Sequence, residues 1–123
     1  MWYKSNSRIY SANSIRCDSG RYDLTHNLEN VVYNELIYMG YKLTVYDNLG
    51  REIDFLAEKG NYRYYIQVAY SVAEEKTYQR EMSAFNGLSQ LDSKILITND
   101  DIDYSTSNIK HIKLKDFLQM KAL

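Results

Sequence analysis

The chain has 123 residues, 45% of them apolar, with 15 basic and 16 acidic side chains for a formal net charge of -1. That length builds one hydrophobic core and is too short for two ordinary domains. The balanced charge excludes the strongly basic surface of a dedicated nucleic-acid binder, so any DNA contact needs a local patch.

Cys17, the one cysteine, excludes an internal disulfide and a cysteine-based zinc site and accords with a reducing compartment. No apolar run approaches the roughly 20 residues needed to cross a bilayer. Met1-Trp-Tyr-Lys-Ser-Asn-Ser-Arg lacks the apolar segment of a secretory signal. A cytoplasmic protein with no membrane contact is expected. Proline is absent, so glycine alone punctuates the chain. Residues 1–23 are polar, rich in Ser, Asn and Arg, and read as an arm or the remnant of a preceding element; residues 24–123 read as the domain. Leu28, Val31, Val32, Leu36 and Met39 recur at helical spacing and predict a helix over 25–39 that stops at Gly40. Alternation over Tyr41 to Tyr46, the turn Asn48-Leu-Gly50, a strand from Glu52 to Glu58, the turn Lys59-Gly-Asn61 and a strand from Arg63 to Tyr70 predict an antiparallel meander.

Ser71-Val-Ala-Glu74 has the spacing of a capping box. Tyr78, Met82 and Phe85 follow as an apolar stripe, so a second helix is expected over 72–86. Ser93 to Thr98 contains a continuous apolar run, which suits a strand covered on both faces. Ile109 to Leu114 reads as a last strand and Leu114 to Met120 as a closing helical turn or two. The fold class is α/β (α+β), a central mixed sheet flanked by helices in the order αβββαββα.

That order is similar to the core of the PD-(D/E)XK nuclease superfamily. His26-Asn-Leu-Glu-Asn-Val-Val-Tyr-Asn-Glu-Leu36, Gly40-Tyr41, Glu52-Ile-Asp-Phe55, Tyr65-Ile-Gln-Val-Ala-Tyr70 and Ile109-Lys-His-Ile-Lys-Leu-Lys-Asp-Phe-Leu118 together resemble the C-terminal domain of unknown function carried by many prokaryotic AAA-type ATPases. The chain has no G-x-x-x-x-G-K-[ST] loop, so it does not hydrolyse ATP by that route. The resemblance implies an Asp on one strand and a carboxylate and a Lys two positions apart on the next, all on one face. Asp54 fills the first place, while Gln67 and Ala69 stand in the other two.

Phosphodiester cleavage by this superfamily relies on Mg²⁺ or Mn²⁺ held by hard oxygen ligands. Gln67 offers a neutral carbonyl and Ala69 offers nothing, so the chain has the frame of a nuclease site without its charges. If active, the site uses Glu29, Asp54 and Gln67 on Mg or Mn, with Lys59 or Lys76 as a migrated lysine. Otherwise Asp54 and Gln67 are a vestigial hydrogen-bonded pair, Glu29 interacts with its helix N-terminus, and no cofactor is expected. An Asp54 partnered opposite Tyr65 or Gln67 shares a face with Gln67 and Ala69.

Arg80, Lys110 and Lys113 are candidate phosphate contacts, with Lys115 and His111 in the same basic run; a solvated face explains them as well. Thirteen tyrosines suit strand packing better than base stacking. Asp100, Asp101 and Asp103 lack the glycine and terminal Glu of a calcium loop, and neither His26 nor His111 has an evident nucleophile partner. The primary expectation is a nuclease-like domain without efficient cleavage that binds DNA, a protein partner or an ATPase module. An active metal-dependent endonuclease and a structural dimerisation module are the alternatives.

Overall fold

A computed structural model describes residues 20–123, with side chains from residue 24 onward. Cys17 and the rest of residues 1–19 lie outside the described residues. The elements are α1 (Gly20–Met39), β1 (Lys42–Asn48), β2 (Arg51–Lys59), β3 (Tyr62–Val68), α2 (Glu75–Ser83), β4 (Ser93–Thr98), β5 (Ile109–Lys113) and α3 (Leu114–Phe117). All eight expected elements are present in the expected order. They build one open sheet of order β1-β2-β3-β4-β5, antiparallel through β3 and parallel from β3 to β5.

Helix α1 begins five residues before the expected residue 25 and ends where expected. Its stop has the Schellman pattern: Gly40 at φ 99°, the Gly40 amide donating to Ile37 O at 3.0 Å and the Tyr41 amide donating to Leu36 O at 3.0 Å. Leu28, Val32, Leu36 and Met39 are buried against Ile66, Val68, Ile95 and Ile97, with Phe117 of α3 on the same face. Val31, expected on that stripe, is exposed, because a residue next to Val32 lies about 100° around the helix from it.

The other sheet face carries Leu56, Tyr65 and Leu96 and is covered by α2 and the turns that follow it. Helix α2 is shorter than the expected 72–86, and the capping box does not form. Glu74 is the N-cap and makes no side-chain cap bond. Ser71 instead donates its hydroxyl to Asp100 Oδ1 at 2.6 Å, and the Val72 amide donates to Asp100 Oδ2 at 2.8 Å. The Ser71 oxygen still accepts locally, from the Ala73 amide at 3.1 Å, while Asp100 in the loop after β4 ties down this segment and α2 starts only at Glu75. Strand β4 is buried from Lys94 to Thr98, as its apolar run and its place between two parallel neighbours require.

Candidate functional site

A bulge on β2 builds the site. Thr44 pairs with Leu56 and Tyr46 with Ile53, which leaves Asp54 and Phe55 together opposite Val45. The extra residue bends β2 and re-aims Asp54. The β2–β3 ladder ends at Phe55↔Ile66, a register that continues to Asp54 opposite Gln67. Beyond that point side chains replace backbone pairing. The Asp54 amide donates to Gln67 Oε1 at 2.7 Å, and the Val68 amide donates to Asp54 Oδ2 at 2.8 Å.

Gln67 is 4% exposed. Its Nε2 donates to Glu81 Oε1 on α2 at 3.1 Å. One carboxamide thus joins Asp54 on the sheet to Glu81 on the helix. Burial pushes the Asp54 carboxyl up to about 7; the Val68 N–H opposes this, and the negative charges of Glu81 and Glu52 add to it. Burial likewise raises Glu81 above the ordinary carboxylate range, against the pull of the Arg80 guanidinium 3.5 Å away.

Asp54 and Glu52 line two adjacent clefts. One, of about 280 Å³, lies against α1 and includes His26, Glu29 and Tyr33. The other, of about 320 Å³, lies against α2 and includes Gln67, Arg80 and Glu81. Arg51 closes its rim by donating to Ser83 O at 3.1 Å.

The family described as a domain of unknown function, DUF4143, matches residues 25–117. The chain belongs to it. DUF4143 is a C-terminal domain of AAA-type ATPases with a PD-(D/E)XK-like core, and the open mixed sheet with helices on both faces has that form. A stretch of 49 residues is 41% identical to an uncharacterized protein of Haemophilus influenzae; it covers 40% of this chain and 12% of that protein, so the match spans a small part of the relative's length. No solved structure matches.

In this DUF4143 domain one oxygen each of Asp54, Gln67 and Glu81 is engaged internally. Asp54 Oδ2 accepts from Val68, Gln67 Oε1 from Asp54, and Glu81 Oε1 from Gln67. Among the described residues, no three His, Cys, Asp or Glu side chains gather in a way that could hold a metal ion. Mg²⁺ demands near-octahedral oxygen ligands that usually include one or two carboxylates. Of the three expected ligands, Gln67 brings a neutral oxygen and no charge.

Glu29 shares a cleft with Asp54. Ala69 is buried, with its amide donating to Ile97 O at 3.1 Å. Lys76 is exposed on α2 and lines none of the clefts that hold Asp54 or Glu81. Lys59 does not reach back: its Nζ donates to Met39 O at 2.9 Å, capping α1 at the far end of the hairpin. Arg80 and Lys110 line different clefts, and Lys113 is half-buried at the end of β5.

His111 Nε2 lies 2.7 Å from Thr98 Oγ1, while its Nδ1 accepts from the Tyr104 amide at 3.1 Å. Thr98 is fully buried and its Oγ1 also accepts from the Asp100 amide at 3.0 Å, so the pair ties down the loop between β4 and β5. Asp100 and Asp103 point to different loop amides, of Val72 and Ser105. Among the described residues most tyrosines pack, as in the edge-on pair Tyr46–Tyr65 at 5.1 Å.

Glu81 is the site residue that sequence reasoning missed. Its only local signal is position: four residues after Thr77 and one before Met82, it lies on the helix face that meets the sheet.

Proposed function

We propose that this domain forms a recognition module of an AAA-type ATPase on a nuclease frame that no longer cleaves efficiently. Gln67 carries this reading. It stands where the family pattern implies a metal-binding carboxylate, and its amide is spent joining Asp54 to Glu81. Ala69 stands where the lysine would be, buried and without a charge to offer the cleft. At the mouth stand Arg80, its side chain 68% exposed, the rim residue Arg51 and the exposed Glu52. Guanidinium groups suit a phosphate backbone. DNA is therefore the first partner to test, with Lys110 and Lys113 as outlying contacts. Among the described residues, no helix is long and apolar enough to cross a membrane.

The second reading, an active Mg- or Mn-dependent endonuclease, draws support from the carboxylates of Glu29, Glu52, Asp54 and Glu81 around two adjoining clefts. Calorimetric titration of Mn²⁺ and Mg²⁺ into the wild type and Asp54→Ala, with branched and linear DNA incubated in parallel, separates the two. Recognition without catalysis gives no site-specific metal heat and no cleavage, with DNA affinity that falls with salt and with Arg80→Glu. Metal binding and cleavage that both disappear in Asp54→Ala establish the endonuclease instead.

A further inference from the structure

At the other end of the β2–β3 hairpin, roughly 17 Å along the strand from Asp54, a second site is formed by tyrosines. Strand alternation places Tyr62, Tyr64, Ile66 and Val68 on one face. The inner members of that row lie under α1, which stops at Met39, and the outermost, Tyr62, is left 67% exposed. The rings of Tyr62 and Tyr64 are nearly parallel, 16° apart in plane with centroids 6.5 Å apart.

That separation is the repeat of alternate residues along a strand, and it sets the two rings side by side on one face. The Tyr64 ring is held in place. Tyr41 packs edge-on against Tyr64 at 5.9 Å and 86°, and the Tyr64 hydroxyl donates to Leu123 O at 3.4 Å. Tyr41, Lys59, Gly60, Tyr62 and Tyr64 line a cavity of about 540 Å³. Lys59 brings an ammonium to it, 5.3 Å from the Tyr41 ring centroid. Met39 O accepts one of its N–H groups, and an ammonium has three.

We propose that the Tyr62–Tyr64 pair, with Tyr41 and Lys59 beside it, is a stacking site for a nucleobase that carries a phosphate. The base stacks on the exposed Tyr62 ring at the cavity and the phosphate meets Lys59. Flat apolar ligands without charge fit the rings but leave the ammonium unused. The site does not rest on the reading of the Asp54 cleft.

Two probes distinguish the source of the base: a labelled single strand of about 12 nucleotides and adenosine 5′-monophosphate, with unphosphorylated adenosine as control. Their affinities are measured for wild type, Tyr62→Ala, Tyr62→Phe and Arg80→Glu by anisotropy and calorimetry. Tyr62 is exposed, so these variants are expected to fold, which circular dichroism checks. Tyr62→Ala should weaken binding by about 5- to 150-fold, while Tyr62→Phe stays near wild type and adenosine binds more weakly than its monophosphate. Binding of the strand alone assigns the site to nucleic acid; binding of the monophosphate as well assigns it to a free nucleotide. No binding of either probe by folded wild type overturns the proposal, as does an affinity that Tyr62→Ala leaves unchanged. Loss in Arg80→Glu but not in Tyr62→Ala overturns it too, while leaving the Asp54 cleft as the DNA contact.

Discussion

Replacing Asp54 by Asn should make the protein more stable at alkaline pH and flatten its dependence on pH. The carboxyl rises from 3.8 to about 7 on folding because it is buried, with the negative charges of Glu81 and Glu52 adding to the effect. The folded state therefore holds the proton more tightly than the unfolded chain. Below pH 4 both states are protonated and the residue costs nothing. Between pH 4 and pH 7 the unfolded chain has released the proton and the folded chain has not, so stability falls by about 1.4 kcal/mol per pH unit. Above pH 7 the loss levels off, at about 4 kcal/mol in total. Asn keeps an oxygen to accept the Val68 amide, which Asp54 Oδ2 accepts at 2.8 Å, and it removes the buried charge.

Urea unfolding followed by circular dichroism from pH 4 to pH 8 measures the difference between Asp54→Asn and wild type. His111 slopes the other way, because burial lowers its folded value and stability is lost as pH falls below its ordinary range. Taking the difference cancels that contribution. The expected result is a gap that widens from near zero at pH 4 to a few kcal/mol in favour of Asn at pH 8. A variant with the wild-type slope, or one less stable than wild type at pH 8, shows that Asp54 is charged in the fold and refutes the buried-proton account.

Gln67→Leu leaves the Asp54 amide and one Glu81 oxygen without their partner and should destabilise the fold by about 1–3 kcal/mol at neutral pH, read from urea midpoints. Asp100→Ala removes the acceptor of both Ser71 and Val72 and should cost a similar amount. Faster amide exchange confined to the segment between β3 and α2 would locate that effect. Leu36→Ala, at a fully buried position facing the sheet, should lower stability by about 2–5 kcal/mol without changing the affinity for DNA. A loss under 1 kcal/mol would contradict the packing of α1 described above.

Periodicity and turn chemistry are local, and what depends on them was legible. Alternation marked β1, two turns marked off β2 and β3, an unbroken apolar run marked β4 as doubly covered, and Gly40 ended α1 at φ 99° because only glycine adopts that conformation cheaply. The ordered motifs carried the family likeness, and the face shared by Asp54 and Gln67 followed from strand arithmetic. A local motif shifted where a distant group joined it. Ser71 and Glu74 had capping spacing, but Asp100, 29 residues away, holds the Ser71 hydroxyl and the Val72 amide, and the helix begins after Glu74.

The sequence by itself determined the elements, their order and the substitution of Gln67 and Ala69, since each depends on residues close along the chain. Only the tertiary structure decided that β2 bulges at Asp54, that Glu81 of α2 meets Gln67, that Lys59 caps α1 instead of serving the cleft, and that Tyr62 is left uncovered. Each of these depends on where one element stops relative to another. That is set by packing between residues far apart in the chain, which no period or short motif encodes.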